Sequence, residues 1–75
     1  MEPHQERVIV EKRELDAKLD KLSEFIDSGK VDVLADKEEA ARLRYQRCLM
    51  RAYSSVLFQR INSFPPDKES PPKEQ

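Results

Sequence analysis

Glycine is almost missing from this chain: Gly29 is the only one in 75 residues. A glycine-rich loop that cradles phosphate through backbone N–H groups is therefore excluded. Tryptophan is absent, and cysteine and histidine occur once each, as Cys48 and His4. A single cysteine cannot build a disulfide framework or a multi-cysteine metal site, and it fits a reducing cytosol. His4 stands beside Pro3 at an end expected to fray, with no second ligand at metal spacing. No apolar run approaches the roughly 20 residues needed to span a bilayer, and the N-terminus lacks the apolar core of a signal peptide. No membrane association is expected, and the location expected is the cytoplasm. Net charge is −1, with 14 Lys and Arg against 15 Asp and Glu, which argues against a general nucleic-acid partner.

What remains is rich in charge, at 39% of residues, and ordered at helical spacing. The five prolines (Pro3, Pro65, Pro66, Pro71 and Pro72) all lie outside the periodic segments. No four-residue run alternates cleanly except around Val8 and Val10, so strands are not expected. The predicted class is all-α: an antiparallel two-helix hairpin over 6–64 that assembles into a homo-oligomeric helical bundle. Residues 1–5 form a flexible lead-in. The first helix covers 6–28, with Val8, Leu15, Leu19, Leu22 and Ile26 on one seam and Phe25 beside it. Gly29 supplies a left-handed cap, and 29–36 is a connection in which Val31 or Leu34 plugs the open end. The second helix covers 37–64 and opens on Asp36 with Glu39 three residues on, the spacing of a capping box. Leu43, Met50, Tyr53, Leu57 and Phe64 mark its inner stripe. Pro65 and Pro66 stop it, and 65–75 reads as a disordered proline-rich tail. Apolar residues off the main seams (Ile9, Tyr45, Cys48, Ala52 and Phe58) leave a second apolar face. A thin two-helix chain with such a face calls for a partner, most simply another copy of itself.

Charge is segregated. Residues 4–28 hold seven acids and five bases, whereas 40–66 hold five arginines (42, 44, 47, 51 and 60), no acid and no lysine. Arg44, Arg47 and Arg51 share one stripe of the second helix; Gln46, Tyr53 and Arg60 share another. A guanidinium grips phosphate oxygens with two prongs, and a ring on the same surface can stack a base. Two readings stay open. The arginines pair with acids of the first helix and Tyr53 is core, or Arg60 and Tyr53 hold a small anion at a subunit seam. In the second reading Arg47 and Arg51 are further contacts, and Lys18 and Arg7 reach in from the first helix. Pairs such as Glu14 with Lys18 at four-residue spacing read as a solvated face. Cys48, on an apolar flank without a histidine base, reads as a buried structural thiol. Asp16 and Asp20, one turn apart, have no ligand cluster around them. With no catalytic set in view, we expect neither an enzyme nor a cofactor or metal.

The order Glu6, Arg7, Glu14, Leu15, Lys18, Leu22, Phe25, Ile26, Leu34, Leu43, Gln46, Met50, Tyr53, Leu57, Arg60, Ile61 resembles a family of short helical-hairpin proteins. These are scattered through tailed-phage and prophage genomes and are related to a small protein of crAss-like phages. The resemblance spans residues 6–61. The segment 30–35 departs from the aromatic-containing connection usual in that family, so no loop residue is carried over. The resemblance implies a phage accessory protein acting in the host cytoplasm. By analogy with oligomeric phage sponges, it implies sequestration of a nucleotide-derived immune signal without cleavage. A helical module that docks on a host or phage protein is the competing class. A minor nucleic-acid binder using the Arg44–Arg51 stripe is the weakest, given the net charge.

Overall fold

A computed structural model describes residues 2–65, and every described element is helical. Three helices follow in order, α1 (Pro3–Asp27), α2 (Lys30–Leu34) and α3 (Lys37–Asn62). The all-α class expected from the spacing is what the structure shows, with three helices rather than two.

α1 begins at Pro3, three residues ahead of the expected Glu6. Proline at a first helical position gives up an N–H that would have had no intrahelical partner. The Glu2 N–H donates to Gln5 Oε1 at 3.0 Å, which ties the end down, and Gln5 itself is buried. The first residues are thus part of the helix rather than a loose lead-in. At the other end Ser28 is the cap, and Gly29 follows at φ 84°, the left-handed region that favours glycine.

The expected connection contains a helical turn of its own. Val31 is fully buried there, packed with Ile26 and Ala40 and flanked by Leu22, Phe25, Ala35 and Leu43. Val31 closes this end, whereas Leu34 is 72% exposed and does not. Five residues cannot hold a helix by propensity, so tertiary packing of Val31 must do so. α3 starts on Asp36, whose Oδ1 accepts from the Glu39 N–H at 2.7 Å. It stops at Asn62, two residues short of the expected Phe64, because the residue before a proline avoids helical backbone.

α1 and α3 pack side by side in opposite directions. Asp27 meets Arg47, Asp16 meets Ser54, and Lys12 lies over the Phe58 ring, so rising numbers on one helix match falling numbers on the other. The molecule measures 55 × 18 × 16 Å over Cα atoms. The body is the α1–α3 pair, closed at one end by Val31 of α2. Five hydrophobic residues are buried (Val8, Ile26, Val31, Ala40 and Leu57), while eight large ones are exposed. Large apolar side chains of α3 are thus left facing solvent in the single chain. None of the described helices is long and apolar enough to cross a membrane. The expected tail beyond Pro65 lies outside the described residues.

Candidate functional site

α3 can be resolved into faces from its contacts with α1. Leu57, fully buried, marks the direction of α1. At about 100° per residue, Ser54, Arg47 and Arg51 turn to one side of that direction, by about 60°, 80° and 120°. Tyr53 and Arg60 turn to the other side, by about 40° and 60°. On α1, Asp16 and Asp27 meet Ser54 and Arg47 and so fix its matching flank. Lys18 and Arg7 occupy the opposite flank, the one that adjoins Tyr53 and Arg60. The Asp16–Ser54 contact sets Lys18 level with Ala52 and Arg7 level with Ser63.

The six residues singled out by sequence therefore divide. Arg60, Tyr53, Lys18 and Arg7 share one flank; Arg47 and Arg51 lie on the other. Arg60 is exposed in the last turn of α3 and makes no ion pair among the described residues. Tyr53 is 44% exposed rather than sealed in the core. Lys18 is exposed and likewise unpaired among the described residues. Arg7 lines a shallow groove with Pro3, Glu6, Val10, Glu11 and Glu14, where three carboxylates offset its charge.

On the opposite flank the arginines turn inward to acids. Arg47 donates to Asp27 Oδ1 at 2.9 Å, with its own side chain largely covered. Arg44 donates to Asp32 Oδ1 at 2.9 Å, both groups being well exposed. Arg42, which counting places on the Tyr53 side instead, holds Glu39 within the first turns of α3. Pairs this exposed contribute about 0–1 kcal/mol each, so they orient side chains more than they stabilise the fold. Asp32 was not among the acids expected as partners. Its place in the short segment after Gly29, beside the first turns of α3, is the signal that could have found it. Arg51 is exposed and has no ion pair among the described residues.

Two further expectations change. Cys48 is exposed, not buried, because its position turns away from α1 toward solvent. The four-residue pair that forms on α1 is Lys12 with Asp16 at 2.6 Å, in place of Glu14 with Lys18. Asp16 also accepts from Ser54 Oγ at 2.6 Å. The Lys12 hydrogen bond, then the Ser54 one, hold the Asp16 carboxyl below its ordinary value against a smaller opposing effect of burial. This carboxylate is occupied with joining α1 to α3.

The arrangement offers an open, cationic and aromatic flank. The Arg60 guanidinium, unpaired among the described residues, can grip an anion in two prongs, and the Tyr53 ring is available for stacking or hydrogen bonding. Comparison with curated proteins and with solved structures finds no match. A family model for Sequestin matches residues 2–63, from the capped start of α1 to the end of α3. With nearly all of its helical residues inside that match, the chain belongs to the Sequestin family.

Proposed function

We propose that this chain is a non-enzymatic sequestering protein that binds a small phosphorylated, nucleotide-derived signal and holds it without cleaving it. The observation that carries the reading is Arg60: exposed, unpaired among the described residues, and on the same flank as Tyr53 and Lys18. The family name, Sequestin, points the same way, toward holding a molecule rather than converting it. In this reading the helical hairpin works as a homo-oligomer, because one layer of helices lacks the walls that a small-ligand site needs. The protein is a phage-encoded accessory factor acting in the host cytoplasm, where it lowers the free concentration of an immune signal. Arg60 grips phosphate, Tyr53 stacks on or hydrogen-bonds the base or sugar, and Lys18 adds charge. Arg7 is a weaker contact, and Arg47 must leave Asp27 to contribute.

The test is a thermal-shift panel of linear and cyclic nucleotides, followed by titration calorimetry on any that raise the melting temperature. Arg60→Ala should lower affinity about tenfold to hundredfold, the size of one lost charge-assisted hydrogen-bond set, with association measured alongside. Arg60→Lys should fall between, since an ammonium cannot make the two-pronged contact. A panel with no shift, together with no small molecule retained on purification from cells with active nucleotide signalling, would refute the reading. One observation favours an alternative, a protein–protein interaction module acting on a host or phage protein: Tyr45, Leu49 and Val56 form an exposed apolar stripe on α3. A pull-down returning one stoichiometric foreign protein would support it.

A further inference from the structure

The exposed stripe has a particular order. Tyr45, Leu49, Ala52 and Val56 recur at four, three and four residues, so they line one side of α3, and all four are exposed. That side turns away from the Leu57 direction, because its residues lie roughly 80–140° from Leu57 at helical spacing. The stripe ends in opposite charges: Glu38 in the first turn and Arg60 in the last. Both are exposed, and neither has an ion pair among the described residues. A helix that is apolar in the middle of a face, acidic at its start and basic at its end is complementary to its own reverse.

We propose that a second copy of this chain docks antiparallel on the outer stripe of α3, with the two-fold axis passing at Leu49. Leu49 lies at the middle of Lys37–Asn62, so the two helices overlap along their whole length. In this register Leu49 meets Leu49 of the second copy, and Tyr45 meets Tyr53 of the second copy. Glu38 meets Arg60 of the second copy at both ends. A parallel pairing would instead bring Glu38 against Glu38 and Arg60 against Arg60, which opposes association. An antiparallel pairing about Ala52 would set Arg60 level with Arg44 of the second copy and leave Glu38 beyond the end of its α3. The charges thus select direction and register; Leu49 and the Tyr45–Tyr53 pairs supply the apolar contact, while Ala52 and Val56 lie level with Gln46 and Arg42 of the second copy. Glu38 uses at most two of the five N–H donors of Arg60, so the guanidinium keeps donors for a phosphate. Cys48 lies one residue from the axis and on the same flank in both copies, so the two thiols come within reach of a short linker.

This inference rests on the assembly part of the reading above and not on its ligand part, so the readout is association. Sedimentation equilibrium of the full chain, with far-UV circular dichroism as the control for folding, gives the dissociation constant. Leu49→Glu should abolish association. Glu38→Arg should weaken it about 2- to 30-fold for two exposed pairs, and Glu38→Arg with Arg60→Glu should restore it. A short bis-maleimide should join two wild-type chains through Cys48. A wild-type chain that is monomeric and fully helical would overturn the assembly reading and this surface together. A wild-type oligomer indifferent to Leu49→Glu and to the charge reversal would overturn the surface alone. Should Leu49→Glu fail to fold, the reversal and its rescue decide the matter, because Glu38 and Arg60 lie outside the core.

Discussion

Leu57→Ala is the substitution most able to show how thin this core is. Leu57 is fully buried, and apart from Val31 no other large side chain among the described residues is sealed so completely. Removing three carbons loses about 2.4 kcal/mol of transfer free energy at about 0.8 per methylene. A cavity term raises the total toward 5 kcal/mol where the surroundings cannot close in. Here they can, in part, because α1 and α3 form a single layer and one helix can settle toward the other. We therefore expect a loss of about 2–3.5 kcal/mol. A chain with 64 described residues, at about 0.05–0.15 kcal/mol per residue, has about 3–10 kcal/mol in all. Leu57→Ala should thus remove about a fifth of the stability or more. Urea unfolding followed by circular dichroism measures it, at two protein concentrations so that any linked association is seen as a shift in midpoint. Val33→Ala is the control, since Val33 is 81% exposed and its change should stay within about 0.5 kcal/mol. A loss below about 1 kcal/mol for Leu57→Ala, or one no larger than the control's, would refute this account of the core.

Asp16 predicts a pH dependence. Its folded carboxyl titrates below the ordinary value of 3.8, so the stability it contributes is present above that value and is lost as pH falls through the folded value. Asp16→Asn should therefore flatten the acid side of a stability–pH profile, and an unchanged profile would show that the Lys12 and Ser54 bonds do not persist in solution. Gly29 separates backbone strain from crowding: at φ 84° a Cβ would meet nothing within 4 Å. Gly29→Ala should cost about 1–2 kcal/mol from the left-handed backbone alone, and Gly29→Asn less, measured by the same urea unfolding. Equal stability of all three chains would mean that Gly29 is not held in that conformation.

How far the sequence reached depends on what each feature rests on. The seams of α1 and α3 were legible because periodicity is local and each carries several repeats. The Asp36 cap was legible because a capping box has a fixed spacing. The start at Pro3 was misplaced although Pro3 suits a first turn, since the bond that secures it runs from the Glu2 N–H to a buried Gln5. One helical turn in this connection was in view, but not its extent, because Val31 is held by Ile26 and Ala40 and not by propensity. Cys48 was placed inside from its apolar neighbours. Those neighbours, Tyr45 and Ala52, were read as a second apolar face and are exposed, so the error lies in the burial given to Cys48 and not in the stripe. The two arginine stripes were separable by counting. Which of them meets acids was not, because that depends on the side of α1 turned toward each.

That side decides what the arginines can do. Arg42, Arg44 and Arg47 each have a carboxylate on their own chain, and a ligand at those positions must compete with Glu39, Asp32 or Asp27. Arg51 has no such competitor, but it stands on the flank away from Tyr53. Arg60 combines the two conditions, no carboxylate partner among the described residues and an aromatic ring two turns back on the same flank. It also sits where the outer stripe meets that flank. A second copy on the stripe would set its Tyr45 against Tyr53 and its Glu38 against Arg60, so this part of the flank joins the interface. The surface that carries assembly and the flank that carries charge thus share an edge at Arg60. Substitutions there need two readouts, because a loss of binding and a loss of association would otherwise look alike.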